Sequence, residues 1–504
     1  MQASSESQYK SVIARLLNMP PEEIGAIIIR RKSVDARQRN IKINLAVDVY
    51  IGELPVAEKF IPKWQQADNK PTVAIIGAGP AGLFAALRLL ELGLKPVIFE
   101  RGKNVSERKR DIARIYKEHI VDPDSNYGFG EGGAGAYSDG KLYTRSKKRG
   151  NITKILEVFV HFGADPQILI DAHPHIGSDR LPRIISRIRE QILACGGEIH
   201  FNSRVVGLDI HGDDCRGLVL ADGSHYDFNK IILATGHSAR DVYEMLFQCG
   251  VELEAKTFAM GVRVEHPQQL IDTIQYHQNE RGSYLPAATY SFTEQVNGRG
   301  VYSFCMCPGG FIVPAATSPG EVVVNGMSAS LRNSPFANAG MVVEIQPGDL
   351  PEYDKHGVFA GLAFQKSVEK QCFEINGHTQ LAPAQRLTDF IHGRKSAGLP
   401  QSSFRPGLIS ALLHEQLPAH ISSRLRQGIM QIDKKSQGFL SHDAIIVGVE
   451  SRTSSPVRIP RYEISLQHLR IKGLYPCGEG AGYAGGIVSS AMDGERCAEA
   501  LQKF

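Results

Sequence analysis

The chain has 504 residues, 42% apolar and 22% charged, with a formal charge of +4. That length allows two or three domains with a large core, and the composition excludes a disordered chain. The near-neutral charge gives no ground for nucleic-acid or membrane binding. Eight cysteines without a C-x-x-C are too sparse for a disulfide scaffold and exclude the usual close-spaced dithiol. No run of 18 apolar residues and no apolar leader is present, so the chain reads as cytoplasmic.

Residues 1–69 read as a small α+β unit. A helix is expected over 9–18, and Pro20-Pro21 starts a turn or short helix. A strand begins at Ile27. Residues 41–51 alternate apolar and polar, which predicts a strand with one buried face. Between them, residues 30–39 form a basic cluster. It suits phosphate, of a cofactor or of RNA, but no aromatic residues interleave with the charges, and a solvated loop is the plain reading. Residues 59–70 read as a linker.

Residues 72–100 hold the strongest signal. An apolar strand runs into Gly77, Gly79 and Gly82 with G-x-G-x-x-G spacing, and a helix is expected over 81–92. Gly93 ends it, a second strand covers 96–99, and Glu100 follows. This is a complete dinucleotide-binding unit. Gly77 makes the tight turn, Gly79 lets backbone approach a pyrophosphate, and Gly82 lets helix pack on strand. The helix N-terminus faces phosphate, and the acid suits a ribose. Pro80-Ala81 follows the second glycine, and Arg101-Gly102 follows the acid. A helix near 183–194 and strands near 198–209 and 215–220 continue the unit. The run Ile231 to Gly236 reads as a buried strand ending Ala-Thr-Gly, and Val205, Thr235 and Gly236 are candidate cofactor-binding residues.

From 256 to 441 short strand-like runs alternate with loops, and we read an inserted mixed α+β domain. The FAD-binding unit, first part 70–255, is expected to resume with the strand at Ala444, giving a return segment over 442–504. There Gly478-Glu479-Gly480 forms a glycine turn with an acid, and a helix starts near Gly486-Ile487. No second G-x-G-x-x-G follows a strand. NADH or NADPH therefore enters only as a transient electron donor.

These motifs resemble the FAD domain of the glutathione-reductase-like flavoproteins. The whole chain resembles their uncharacterised FAD-dependent dehydrogenases. Residues 129–141, 260–267, 304–310, 449–456 and 478–494 carry the likeness. The resemblance implies non-covalent FAD and an α/β fold: a Rossmann FAD-binding domain, the inserted domain and the N-terminal unit.

Gly132, Gly133 and Ala134 lie in a glycine-rich loop suited to the diphosphate or the isoalloxazine edge. Lys141 suits stabilisation of an anionic reduced flavin. Arg263 with Glu265 makes either a structural ion pair or, with His266 as proton donor, a substrate-carboxylate clamp. Arg240 and Arg452 follow strands whose ends face the cofactor, which points to an acidic small-molecule substrate. Cys305 and Cys307 share a strand face, but their spacing strains a disulfide, and buried packing is the expected role. No metal site is expected. Together these features point to a FAD-dependent oxidoreductase; a flavin-dependent RNA-modifying or RNA-binding protein and a non-catalytic redox sensor are the rivals. No feature sets an oligomeric state.

Overall fold

The computed structural model describes residues 6–38, 40–55, 60–144, 150–282 and 284–503. Two sheets organise it. The first has five parallel strands in the order Leu474–Pro476, Ile231–Leu233, Thr72–Ile76, Lys95–Phe99, Glu198–His200. Its strands other than the half-buried edge strand Glu198–His200 are short, mostly apolar runs, because a parallel sheet is covered on both faces. The helix Pro80–Glu91 buries nine of its twelve residues against this sheet and its neighbours. The helices Leu181–Ala194 and Ile487–Lys503 close the same core. A three-stranded antiparallel meander (Val205–His211, Asp214–Leu220, His225–Asp227) flanks it.

The second sheet has seven strands, ordered Thr293–Val296, Arg299–Cys307, Phe336–Ile345, Phe258–Pro267, Ile445–Glu450, Ala382–Arg386, Leu408–Ser410. All pairs are antiparallel except the last. Helix Ala419–Lys435 packs across it. The strand expected to resume the first sheet at Ala444 is therefore corrected: Ile445–Glu450 pairs with Phe258–Pro267 and Ala382–Arg386. The chain returns to the first sheet only at Leu474–Pro476.

The N-terminal unit is helix Glu6–Leu17 and a two-stranded hairpin, Ile24–Asp35 with Lys42–Ile51. The basic run is thus not a loop. The strand continues through Arg30, Arg31 and Lys32 to Asp35, and Arg30 and Arg37 pair with Asp48 and Asp35. Arg39 lies outside the described residues. The alternation of 42–51 is real, but its inward face is only half-buried, because one hairpin offers too little surface to cover it. The expected linker also packs, although Lys59 lies outside the described residues. Trp64 stacks on Phe162 at 5.3 Å, Ala67 is fully buried, and Ala67 N donates to Cys195 O. No helix among the described residues is long and apolar enough to cross a membrane.

Candidate functional site

The candidate site is a cleft with about 1790 Å³ of empty space including its open mouth. The first strand–turn–helix forms its floor. Gly77 has φ 105°, a left-handed conformation, and a Cβ there would fall 2.5 Å from Ala234 O. Gly79 caps the helix Pro80–Glu91, and a Cβ there would meet only Gly133 Cα, at 3.9 Å, so the position opens to the cleft. A Cβ at Gly82 would lie 2.0 Å from Gly77 O: this glycine does not line the cleft but lets helix and turn close up.

Glu100 ties three segments together. Its carboxylate accepts from the N–H groups of Ala78 (2.8 Å), Gly102 (2.9 Å) and Gly130 (3.0 Å). Gly102 itself is packed beneath the loop, outside the cleft lining. Arg101 stacks over Phe129 at 4.2 Å and pairs with Asp124 and Asp241. The glycine loop turns on Gly130 (φ 110°), Gly132 (φ 80°) and Gly133 (φ 56°), and Gly132 N donates to Ala78 O. Arg108 organises it from below. This fully buried guanidinium donates to the carbonyls of Asn126, Tyr127, Gly130 and Glu131. Burial lowers its pKa to about 10. No local motif announces that role; only its place on an amphipathic helix before the glycines hints at it.

The far wall is built by the return segment. Gly478 N donates to Asp493 Oδ2 at 2.8 Å, and Asp493 pairs with the buried Arg461. Glu479 pairs with His237 Nδ1 at 3.1 Å. Gly480 does not reach the cleft; it packs on Gly236. Pro80, Ala81, Ala134, Val205, Thr235, Gly236, Gly486 and Ile487 do line it, together with His237, Ser203 and Asn325, which sequence reasoning missed.

The remaining wall combines Phe304 and Cys305 of the second sheet, Asn325 of the separate hairpin Gly310–Pro314 with Val324–Ser328, and Lys141, which follows the glycine loop. Lys141 lines the cleft as expected. Its Nζ donates to Met306 O and lies 3.9 Å from Cys305 Sγ. Burial lowers its pKa, but the nearby Cys305, Cys307 and Asp139 more than offset that, and the net direction is up. Cys307 is buried, but Cys305 is exposed, which corrects the packing role expected of it.

Three other expectations are corrected. Arg263 does not reach the cleft: it is fully buried and donates to Glu450 (2.8 Å), Cys305 O, Asn338 and Asn325. His266 is equally buried, its Nε2 2.8 Å from Phe439 O. Both stand on a central strand, covered on both faces. Arg240 and Arg452 approach the cofactor side, but both guanidiniums are held by Glu321 and Glu369. Buried ion pairs of this kind leave no free fork for a substrate carboxylate. The arginine basis for an acidic substrate is thereby removed.

Comparisons with known proteins show the family. Residues 71–246 match the pyridine nucleotide-disulphide oxidoreductase family, residues 257–453 the C-terminal-domain-like family of FAD-dependent proteins, and residues 1–50 a domain of unknown function. An uncharacterised protein of Clostridium beijerinckii is 39% identical over 515 residues, covering 98% of this chain and 95% of that one. The chain belongs to an uncharacterised family of FAD-dependent oxidoreductases. Among solved structures, CtdE in complex with FAD matches 86% of the chain and 88% of its own, at 12% identity and TM-score 0.32. The E. coli quinol fumarate reductase subunit FrdA matches 86% and 70%, at 13% identity and TM-score 0.37. FAD is the cofactor of this family member. The cleft fits it: left-handed glycines bring backbone to its floor, and the Gly79 position faces open space where a pyrophosphate needs close approach.

Proposed function

We propose that this FAD-dependent oxidoreductase works on a small molecule admitted between the glycine cradle and the second sheet. The observation that carries the reading is a cleft lined both by cofactor-type backbone and by Lys141, Cys305 and Asn325. Gly77, Gly79, Ala81 and Gly133 would hold the pyrophosphate, Glu100 and Arg101 the adenosine ribose side, and Gly478, Glu479, Gly486 and Ile487 the ribityl and ring end. Bound FAD supplies two-electron chemistry. The protein's own part is to place that ring, set a cation beside it at Lys141 Nζ, and exclude water. NADH or NADPH is the proposed electron donor, entering transiently.

The test is Gly79→Val. A branched side chain would fill the open space above the turn, and the variant should purify folded but colourless. Wild-type protein should carry flavin absorbance and bleach anaerobically with one of the two nicotinamides. Folded wild type that stays colourless with added FAD would sink the reading.

A further inference from the structure

Among the eight cysteines, Cys305 alone is exposed, and it is exposed into the cofactor cleft. A regular strand would place Cys305 and Cys307 on one face, two residues apart. The strand Arg299–Cys307 instead breaks register with its partner between Phe304 and Cys307, and Cys305 takes φ 46°. The break brings charge and thiol onto one spot. Lys141 Nζ stands 3.9 Å from the Cys305 sulfur, and Arg263 donates to the Cys305 carbonyl at 2.9 Å. The Cys307 thiol donates to that same carbonyl at 3.3 Å. A hydrogen bond from Cys307 first, then Lys141 and Arg263, hold the Cys305 thiol well below its ordinary range. The same bond, with burial, pushes Cys307 up. A cysteine kept only for packing needs none of this.

We propose that Cys305 is a nucleophilic thiolate held by Lys141, that Cys307 is its resolving thiol, and that the pair reduces a small disulfide in the cleft. Cys305 attacks one sulfur of the disulfide, whose S–S bond breaks. One substrate thiolate leaves, and a mixed disulfide remains on Cys305. Cys307 passes its proton to that leaving thiolate and attacks the Cys305 sulfur. The second substrate thiolate departs and takes its proton from water. The substrate gains two electrons from the cysteine pair and two protons, one from Cys307 and one from water, and the pair becomes a disulfide. A two-residue disulfide is strained and readily reduced, which suits a pair that must be reset rather than one that staples the fold. Only the reset rests on the cofactor reading above: reduced FAD in the same cleft is the source of the two electrons.

The experiment uses the reduced, desalted protein as purified and 4,4′-dithiodipyridine as the small disulfide. Wild type should release about two thiopyridones per chain in a fast phase and show no adduct by intact mass. Cys307→Ser should release about one and keep a stable thiopyridine adduct. Cys305→Ser should lose the fast phase. Lys141→Met should slow it about tenfold at pH 6 and move its pH midpoint upward, as loss of a cation beside a thiolate requires. A fast phase that survives in Cys305→Ser, or a wild type that stalls at a stable adduct, would overturn the proposal. An unmoved midpoint in Lys141→Met would remove the lysine from it. Flavin absorbance of the same samples separates the two readings. Colourless protein with both releases defeats the cofactor assignment alone, and yellow protein without a fast phase defeats the thiol pair alone.

Discussion

His266 shows how a residue that looks chemical can be structural. Its Nε2–H donates to Phe439 O, its ring lies 4.4 Å from the Phe439 ring, and its Nδ1 has no partner. A proton on Nδ1 would place a charge in a dry site with nothing to receive it. Burial accordingly lowers its pKa to about 4 from 6.5. The folded state binds this proton less readily than the unfolded chain, so stability rises with pH across that interval and is lost as pH falls from 6.5 towards 4. The term is worth about 3 kcal/mol at most. His266→Gln keeps a donor for Phe439 O and cannot take the proton. It should start less stable at pH 7 and lose less on going to pH 4.5, as judged by urea unfolding at both values. Other buried groups titrate in both proteins and cancel in the difference. Parallel losses in the two proteins would refute the assignment.

At the scale of elements, the cofactor cradle depends on two helices meeting at glycine. A Cβ at Gly494, on the helix Ile487–Lys503, would fall 2.1 Å from Ala81 O on the helix Pro80–Glu91. Backbone cannot yield there as a side chain can. Gly494→Ala should cost about 1–3 kcal/mol and speed FAD loss, because the N-termini of both helices line the cleft. Melting temperature and flavin off-rate measure this; Gly348→Ala, with nothing within 4 Å, is the control and should change neither. The first strand–turn–helix was legible in the sequence because each of its constraints lies within a few residues: a left-handed turn, a capping glycine, an apolar helix face. The strand Ile445–Glu450 was visible as a strand, but not its sheet. Buried on both faces, it reads the same beside any partner, and its partners are distant in sequence. For Arg263 and His266, the sequence shows adjacency on a strand and is silent on what covers it. The register break at Cys305 is likewise non-local, set by pairing with residues 336–345 and by Arg263.

At the scale of the whole molecule, the two sheets meet through a buried, charge-balanced cluster. Arg240 starts the helix that follows the first sheet's Ile231–Leu233, while Arg452 follows the second sheet's Ile445–Glu450. Glu321 and Glu369 each bridge both arginines, at 2.6–3.0 Å. The two carboxyls behave differently. Burial pushes Glu321 up, whereas Arg452 and Arg240 outweigh the burial of Glu369 and hold it well below the ordinary carboxylate range. Its folded pKa is depressed, so its contribution is present above the unfolded value of 4.5 and is lost as pH falls below it. Glu369→Gln keeps the shape and removes that charge, leaving two guanidiniums to share one carboxylate. Breaking a buried ion cluster this way costs about 3–5 kcal/mol. The variant should melt earlier at pH 7, and its deficit against wild type should shrink as pH falls below 4.5. Its FAD should also leave faster, because the cleft takes lining from each sheet and needs both held in register. If Glu369→Gln melts with wild type at pH 7, the cluster does not couple the sheets, and the helix contacts at Gly494 must carry the cleft's geometry alone.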